Sequence, residues 1–319
     1  MLESVDVFPE ARGATPLATL RDSALHAATA PAGEMMMSGP GSLAPGMRDV
    51  VFLWLRMATS APVAPRLRHR LTFGVLDSAG RRDPAASPSV IDDLYAPVNH
   101  ASVPIVDAPF RGGDWLAGDG PSNASDHRRT LVALNGKARI AQRFAIDWVK
   151  IGPNGNTWHD DRNRVENYWG FGEPVLAVAD GDVVEAVDSI ADNPSGHLPT
   201  ATIANIAGNH VILRIGPSRF VMVAHLKRGS VRVKVGQRVK RGAIVGQLGN
   251  SGQTTGPHLH LQMMDAPSPL AAEGIPFVLD SFTFLGLGRD YEPGKRLNVA
   301  KRRELPIGDA VVHLPGGPE

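Results

Sequence analysis

Apolar and polar positions alternate with a period of two along much of this chain, the signature of strands with one buried face. In Leu259-His260-Leu261-Gln262-Met263-Met264, the residues Leu259, Leu261 and Met263 project to one side, while His260, Gln262 and the preceding His258 project to the other. Upstream, Pro174–Ala186 reads as two strands around an Asp180-Gly181 turn, and His210–Ile215 and Phe220–Leu226 read as two more. From Val231 to Gly252, short β-branched runs are cut by Gly236, Gly242, Gly246, Gly249 and Gly252, as expected of small antiparallel strands joined by tight turns. The pattern predicts an all-β fold.

The amino-terminal half is less regular. Strand-like segments at Asp49–Arg56, Leu67–Asp77 and Val103–Val106 lie between Pro-rich loops and predict a small β-sandwich-like module over 47–111. Its basic run Arg66-Leu67-Arg68-His69-Arg70 alternates as a half-exposed strand does, with the arginines on the solvated side. Residues 1–46, rich in Ala, Pro and Gly and containing Met35-Met36-Met37, read as an extended lead-in with little to bury and no assigned chemistry. The main domain is expected over 112–285, and residues 286–319 as a carboxy-terminal tail.

The 319 residues are 43% hydrophobic and 20% charged, enough to bury a core. A net charge of +1 gives no global field toward nucleic acid, and Lys301-Arg302-Arg303 reads as a solvated face. The longest apolar run, Val50–Leu55, is far too short to span a bilayer, and the opening residues lack the pattern of a signal peptide. With no cysteine, any metal would be held through nitrogen and oxygen.

The chemistry concentrates in Pro257-His258-Leu259-His260, where two imidazoles share one strand face. Together with Ala145-Ile146-Asp147, the hairpin Val175–Val183, Gly208–Leu213, Ala224-His225-Leu226, Val233–Gly242 and Gly246–Gly252, this run resembles the lysostaphin-like zinc endopeptidases that cut the peptide part of bacterial peptidoglycan. The resemblance spans Arg143–Met264. It implies a lysostaphin-like antiparallel β-sheet peptidase domain, a zinc cofactor, a peptide substrate of peptidoglycan type and an extracytoplasmic setting. It implies further that Asp147 and His260 are zinc ligands, and that His225 and His258 form a catalytic pair beside an activated water.

One position departs from that family. Its first ligand, a histidine, falls four residues before the aspartate, where this chain has Arg143. A guanidinium has no lone pair to donate. In an extended Arg143–Asp147 segment the two residues would share a face, and Arg143 could pair with Asp147 in place of a cation. A replacement ligand could be His127 or His159, ahead of Gln142, because zinc favours imidazole over an amide. His210 reads as a strand-packing or capping residue. Two other readings stay open: an inactive lysostaphin-like binding or regulatory protein, and a carrier domain of lipoyl or phosphohistidine type. The Asp180-Gly181 turn offers no lysine for the former carrier, whereas His225 and His258 could serve the latter without metal.

Overall fold

A computed structural model describes residues 1–11, 13–31, 48–58 and 60–316. Met35-Met36-Met37 lies outside them. The chain divides into two compact units, Met1–Ser102 and Val103–Glu319. This boundary falls about ten residues before the one expected from the turn-rich connector.

Among the described residues of the first unit the strands are β1 (Leu2–Pro9), β2 (Ala18–Arg21), β3 (Thr29–Pro31), β4 (Asp49–Val51), β5 (Arg66–Phe73) and β6 (Ser89–Pro97), with one short helix, α1 (Asp22–Ala28). Four of them form an antiparallel sheet in the order β2-β1-β5-β6, and β3 pairs with β4. The expected lead-in is therefore mostly structured where it is described, and β1 is an inner strand. Its Val5 and Val7 are buried with Leu25, and Leu20, Val51, Leu53, Leu67 and Leu71 pack against them. Its other face is also covered, since Ser4, Asp6 and Phe8 are buried too. The eight residues alternate, yet their partner β5 lies some sixty positions on, and no local pattern announces such a pairing.

The basic run on β5 is likewise not a solvated face throughout. Arg68 is only 4% exposed, lies over the Phe8 ring, and pairs with Asp92 of β6, which also receives Arg70. Burial works to raise the Asp92 pKa, but Arg70 and Arg68 outweigh it and hold the carboxyl at about 2. A folded value below the ordinary one means that this contribution to stability is complete above about pH 4 and fades as pH falls toward 2. Asp92→Ala should cost about 1–3 kcal/mol at neutral pH, because the buried guanidinium loses its carboxylate. Denaturant titration of the variant checks this, and an unchanged midpoint would show that the pair contributes nothing.

The second unit contains β7 (Ile105–Val106), β8 (Asp114–Gly118), α2 (Asp126–Arg129), β9 (Val132–Leu134), β10 (Lys137–Arg139), β11 (Ile146–Ile151), β12 (Pro174–Leu176), β13 (Gly181–Val187) and β14 (Asn209–Gly216). It continues through β15 (Arg219–Leu226), β16 (Arg238–Val239), β17 (Ile244–Gln247), β18 (Leu259–Met264), β19 (Val278–Leu287), β20 (Val299–Glu304) and β21 (Ala310–His313). Its main sheet runs β16-β13-β14-β15-β18-β11-β8-β21-β19-β20, with β7 beside β19. The remaining pairs are β9–β10 and β12–β17.

Alternation is visible directly in this sheet. Leu259, Leu261 and Met263 of β18 join Val221 and Val223 of β15 and Ile146 and Trp148 of β11 in the principal core. The opposite face, with Met222, Ala224 and Met264, belongs to a second cluster. The expected carboxy-terminal tail is instead part of the sheet, because β21 sits between β8 and β19 with Val311, Val312 and Leu314 fully buried. Four residues give too short a period to register as a strand without their neighbours. Among the described residues, no helix is long and apolar enough to cross a membrane.

Candidate metal centre

Strand register brings the polar face of β18 against β11. Asp147 is directly opposite His260, and on its other side Asp147 faces Gly118 at the end of β8. The chain then turns at Asp119 and enters α2, where Ser125 caps the helix and His127 is its second residue. His127, Asp147 and His260 thereby meet, with one potential ligand atom from each lying within 4.8 Å of the others.

Each imidazole at this site has one nitrogen occupied by an acceptor. Gln262 donates from Nε2 to the Pro269 carbonyl at 3.2 Å, so its Oε1 is the atom facing His260 Nε2 at 2.8 Å. That nitrogen must donate, which leaves His260 Nδ1 facing Asp147 Oδ1 at 3.0 Å. His127 donates from Nδ1 to the Asp119 carbonyl at 3.1 Å, and its Nε2 lies 3.5 Å from Asp147 Oδ2. His258 donates from Nδ1 to the Gly256 carbonyl at 2.9 Å, and its Nε2 is likewise 3.5 Å from Asp147 Oδ2. The second ring nitrogens of three imidazoles thus converge on one carboxylate. Such an arrangement needs a cation between the groups, either a proton or a metal, and two nitrogens with one carboxylate oxygen are a donor set that suits zinc.

His225 reaches the group by a different device. Ala224 is opposite His260 in the β15–β18 register, so strict alternation would send His225 to the other face. Its φ of +61° breaks that alternation, and the imidazole instead lies with its ring 4.7 Å from His258 and 6.0 Å from His260. A left-handed non-glycine residue costs on the order of 1 kcal/mol. Here two backbone bonds hold it, from His225 N to Ala207 O and from Gly249 N to His225 O, while His225 Nδ1 donates to Ser251 O at 2.8 Å.

The electrostatics follow from this crowding. Burial disfavours charge on Asp147, but His127, His258 and the hydrogen bond from His260 outweigh it and hold the carboxyl well below the usual range. Burial lowers the His260 pKa too, yet the bond to Asp147 prevails and the net shift is upward. His225 is pushed well below its ordinary value by burial, with His258 and His260 adding to the effect, so it is neutral at pH 7.

Arg143 is not where extended geometry would place it. Residues 141–144 form a turn, closed by Ala145 N donating to Gln142 O, and β11 begins only at Ile146. The guanidinium consequently leaves the Asp147 face and binds Glu273 Oε1 through Nε at 2.8 Å and Nη2 at 2.6 Å. Gln142 lines a small cavity beside His225 and His260. His159 bonds Asp160, lies tilted against the Trp169 ring at 4.8 Å and is not in the cluster with Asp147. His210 is buried, bonded to Gly208 O and 3.2 Å from Glu185. Sequence reasoning passed over Asp119 and Glu273, and the only local hint of the former was its place in the Gly118-Asp119-Gly120 turn.

Residues 168–271 match peptidase family M23, a stretch that takes in His225, His258 and His260 and begins after His127, Arg143 and Asp147. The chain is 34% identical over 149 residues to the peptidoglycan DD-endopeptidase ShyC of Vibrio cholerae, covering 44% of this chain and 30% of that protein. It is 30% identical over 157 residues to lysostaphin of Staphylococcus simulans, covering 49% and 27% respectively. The solved catalytic domain of the Staphylococcus simulans enzyme aligns with 49% of this chain and 83% of its own length, at 25% identity and a TM-score of 0.27. The chain spans 15% to 33% of the length of the curated relatives it matches.

Proposed function

From the match of residues 168–271 to peptidase family M23, we propose that the chain is a zinc-dependent endopeptidase acting on peptide bonds of peptidoglycan. One observation carries the reading: one ring nitrogen each of His127, His258 and His260 faces Asp147, and each ring is backed by an acceptor on its other nitrogen. In this reading His127, Asp147 and His260 hold the metal. Zinc bound there would supply Lewis acidity toward a scissile carbonyl and toward a water molecule.

His258 keeps a bare Nε2 toward Asp147 and accepts the proton of the attacking water, then passes that same proton to the leaving amine. His225, buried and neutral with its ring 4.7 Å from that of His258, is the second imidazole of the pair and could carry the proton in its place. Ser251 O and Gly256 O fix the two rings in the tautomers these roles require. The reading as an inactive binding protein rests on Arg143 in place of a metal ligand and on an opening without a signal-peptide pattern; the Arg143 guanidinium is engaged by Glu273.

Purified protein stripped of metal should take up close to one zinc per chain and release peptides with new amino termini from isolated peptidoglycan. A chelator should stop the release and added zinc restore it. Stoichiometric zinc without peptide release would make the chain a metal-bearing binding protein, and absence of both would sink the proposal.

A further inference from the structure

We propose that Asp119 is the positioning residue that makes His127 a metal ligand in this chain, an inference that rests on the zinc reading above. Asp119 occupies the turn between β8 and α2, one residue beyond Gly118, which pairs with Asp147. Its φ of +45° folds the chain back at that point, and its own N–H donates to Asp309 Oδ1 at 3.0 Å, just before β21. The turn is thus tied to the residue that leads into β21, the strand on the other side of β8 from β11.

Every acceptor of Asp119 is then directed at the segment bearing His127. Its Oδ1 accepts from Asp126 N and its Oδ2 from His127 N, both at 3.0 Å. Its carbonyl accepts from Ser125 Oγ at 3.0 Å and from His127 Nδ1 at 3.1 Å, and Oδ2 is also 3.1 Å from that same nitrogen. Two consequences follow. The short α2 is located by side-chain bonds, since four residues of helix have little stability of their own. The proton of His127 is confined to Nδ1, because both groups facing that nitrogen are acceptors, and Nε2 is left bare toward Asp147.

The test compares zinc affinity, measured by competition with a chromophoric chelator, and the visible spectrum of the cobalt-substituted protein, for wild type, Asp119→Ala and Asp119→Asn. Asp119→Ala should bind zinc about 10- to 100-fold more weakly, with an altered cobalt spectrum and a melting temperature of the metal-free protein close to wild type. Asp119→Asn, which retains one side-chain acceptor, should lose less. Wild-type affinity and spectrum in both variants would overturn the positioning role while leaving the zinc reading intact. Should Asp119→Ala fail to fold, Asp119→Asn decides alone, and affinity equal to wild type would again overturn it. If the wild-type protein binds no zinc, the underlying reading fails first.

Discussion

His127→Ala should fold, hold well under one zinc per chain and release no peptide from peptidoglycan, whereas Arg143→Ala should keep both zinc and hydrolysis. The contrast follows from what each side chain touches. Removing His127 takes away one of the three groups that converge within 4.8 Å, and the loss should exceed the roughly 10- to 100-fold that accompanies removal of an outer partner of a ligand. Among the described residues Arg143 pairs with Glu273, in a partly exposed pair worth about 1 kcal/mol or less, so its loss leaves Asp147 untouched. His159→Ala should also retain zinc, since its imidazole is bonded to Asp160 and lies outside the cluster. Metal analysis of the three variants side by side is decisive. Near-stoichiometric zinc in His127→Ala, or its disappearance in Arg143→Ala, would show that the third ligand has been misassigned.

A chain lacking residues 1–9 should lose the fold of its first unit. β1 contributes Val5, Val7 and Phe8, all under 5% exposed, and each such side chain stabilises by about 1.5–3 kcal/mol when fully buried. Its ladder bonds to β2 and β5 vanish with it, and β2 is left without a neighbour in that sheet. The sum approaches or exceeds the roughly 5–15 kcal/mol by which a whole domain is stable. Hydrogen exchange gives the readout: amides of β5 should become unprotected, while those of β18 in the second unit stay slow. Protection of β5 equal to that of the full chain would mean that β1 is dispensable, as an extended lead-in would be.

What the sequence determined by itself is what a period of two can carry. The face shared by His258, His260 and Gln262, the apolar face of Leu259, Leu261 and Met263, the glycine-cut strands after Val231 and hence the all-β class are all local properties, settled within a few residues of backbone. Tertiary structure decided everything that depends on which strand lies beside which. It set Gly118 against Asp147 and so brought His127 to the carboxylate across twenty positions of chain; it turned residues 141–144 and so sent Arg143 to Glu273. It gave His225 a left-handed φ that overrides the parity of its own strand, and it drew β1 and β21 into the sheets as inner strands. Alternation tells a strand which face to bury but not its neighbour, because backbone N–H and C=O groups are the same on every strand. The choice of neighbour is made by turn geometry and by the packing of side chains distant in sequence, and a site assembled from four strands and a short helix exists only once that choice has been made.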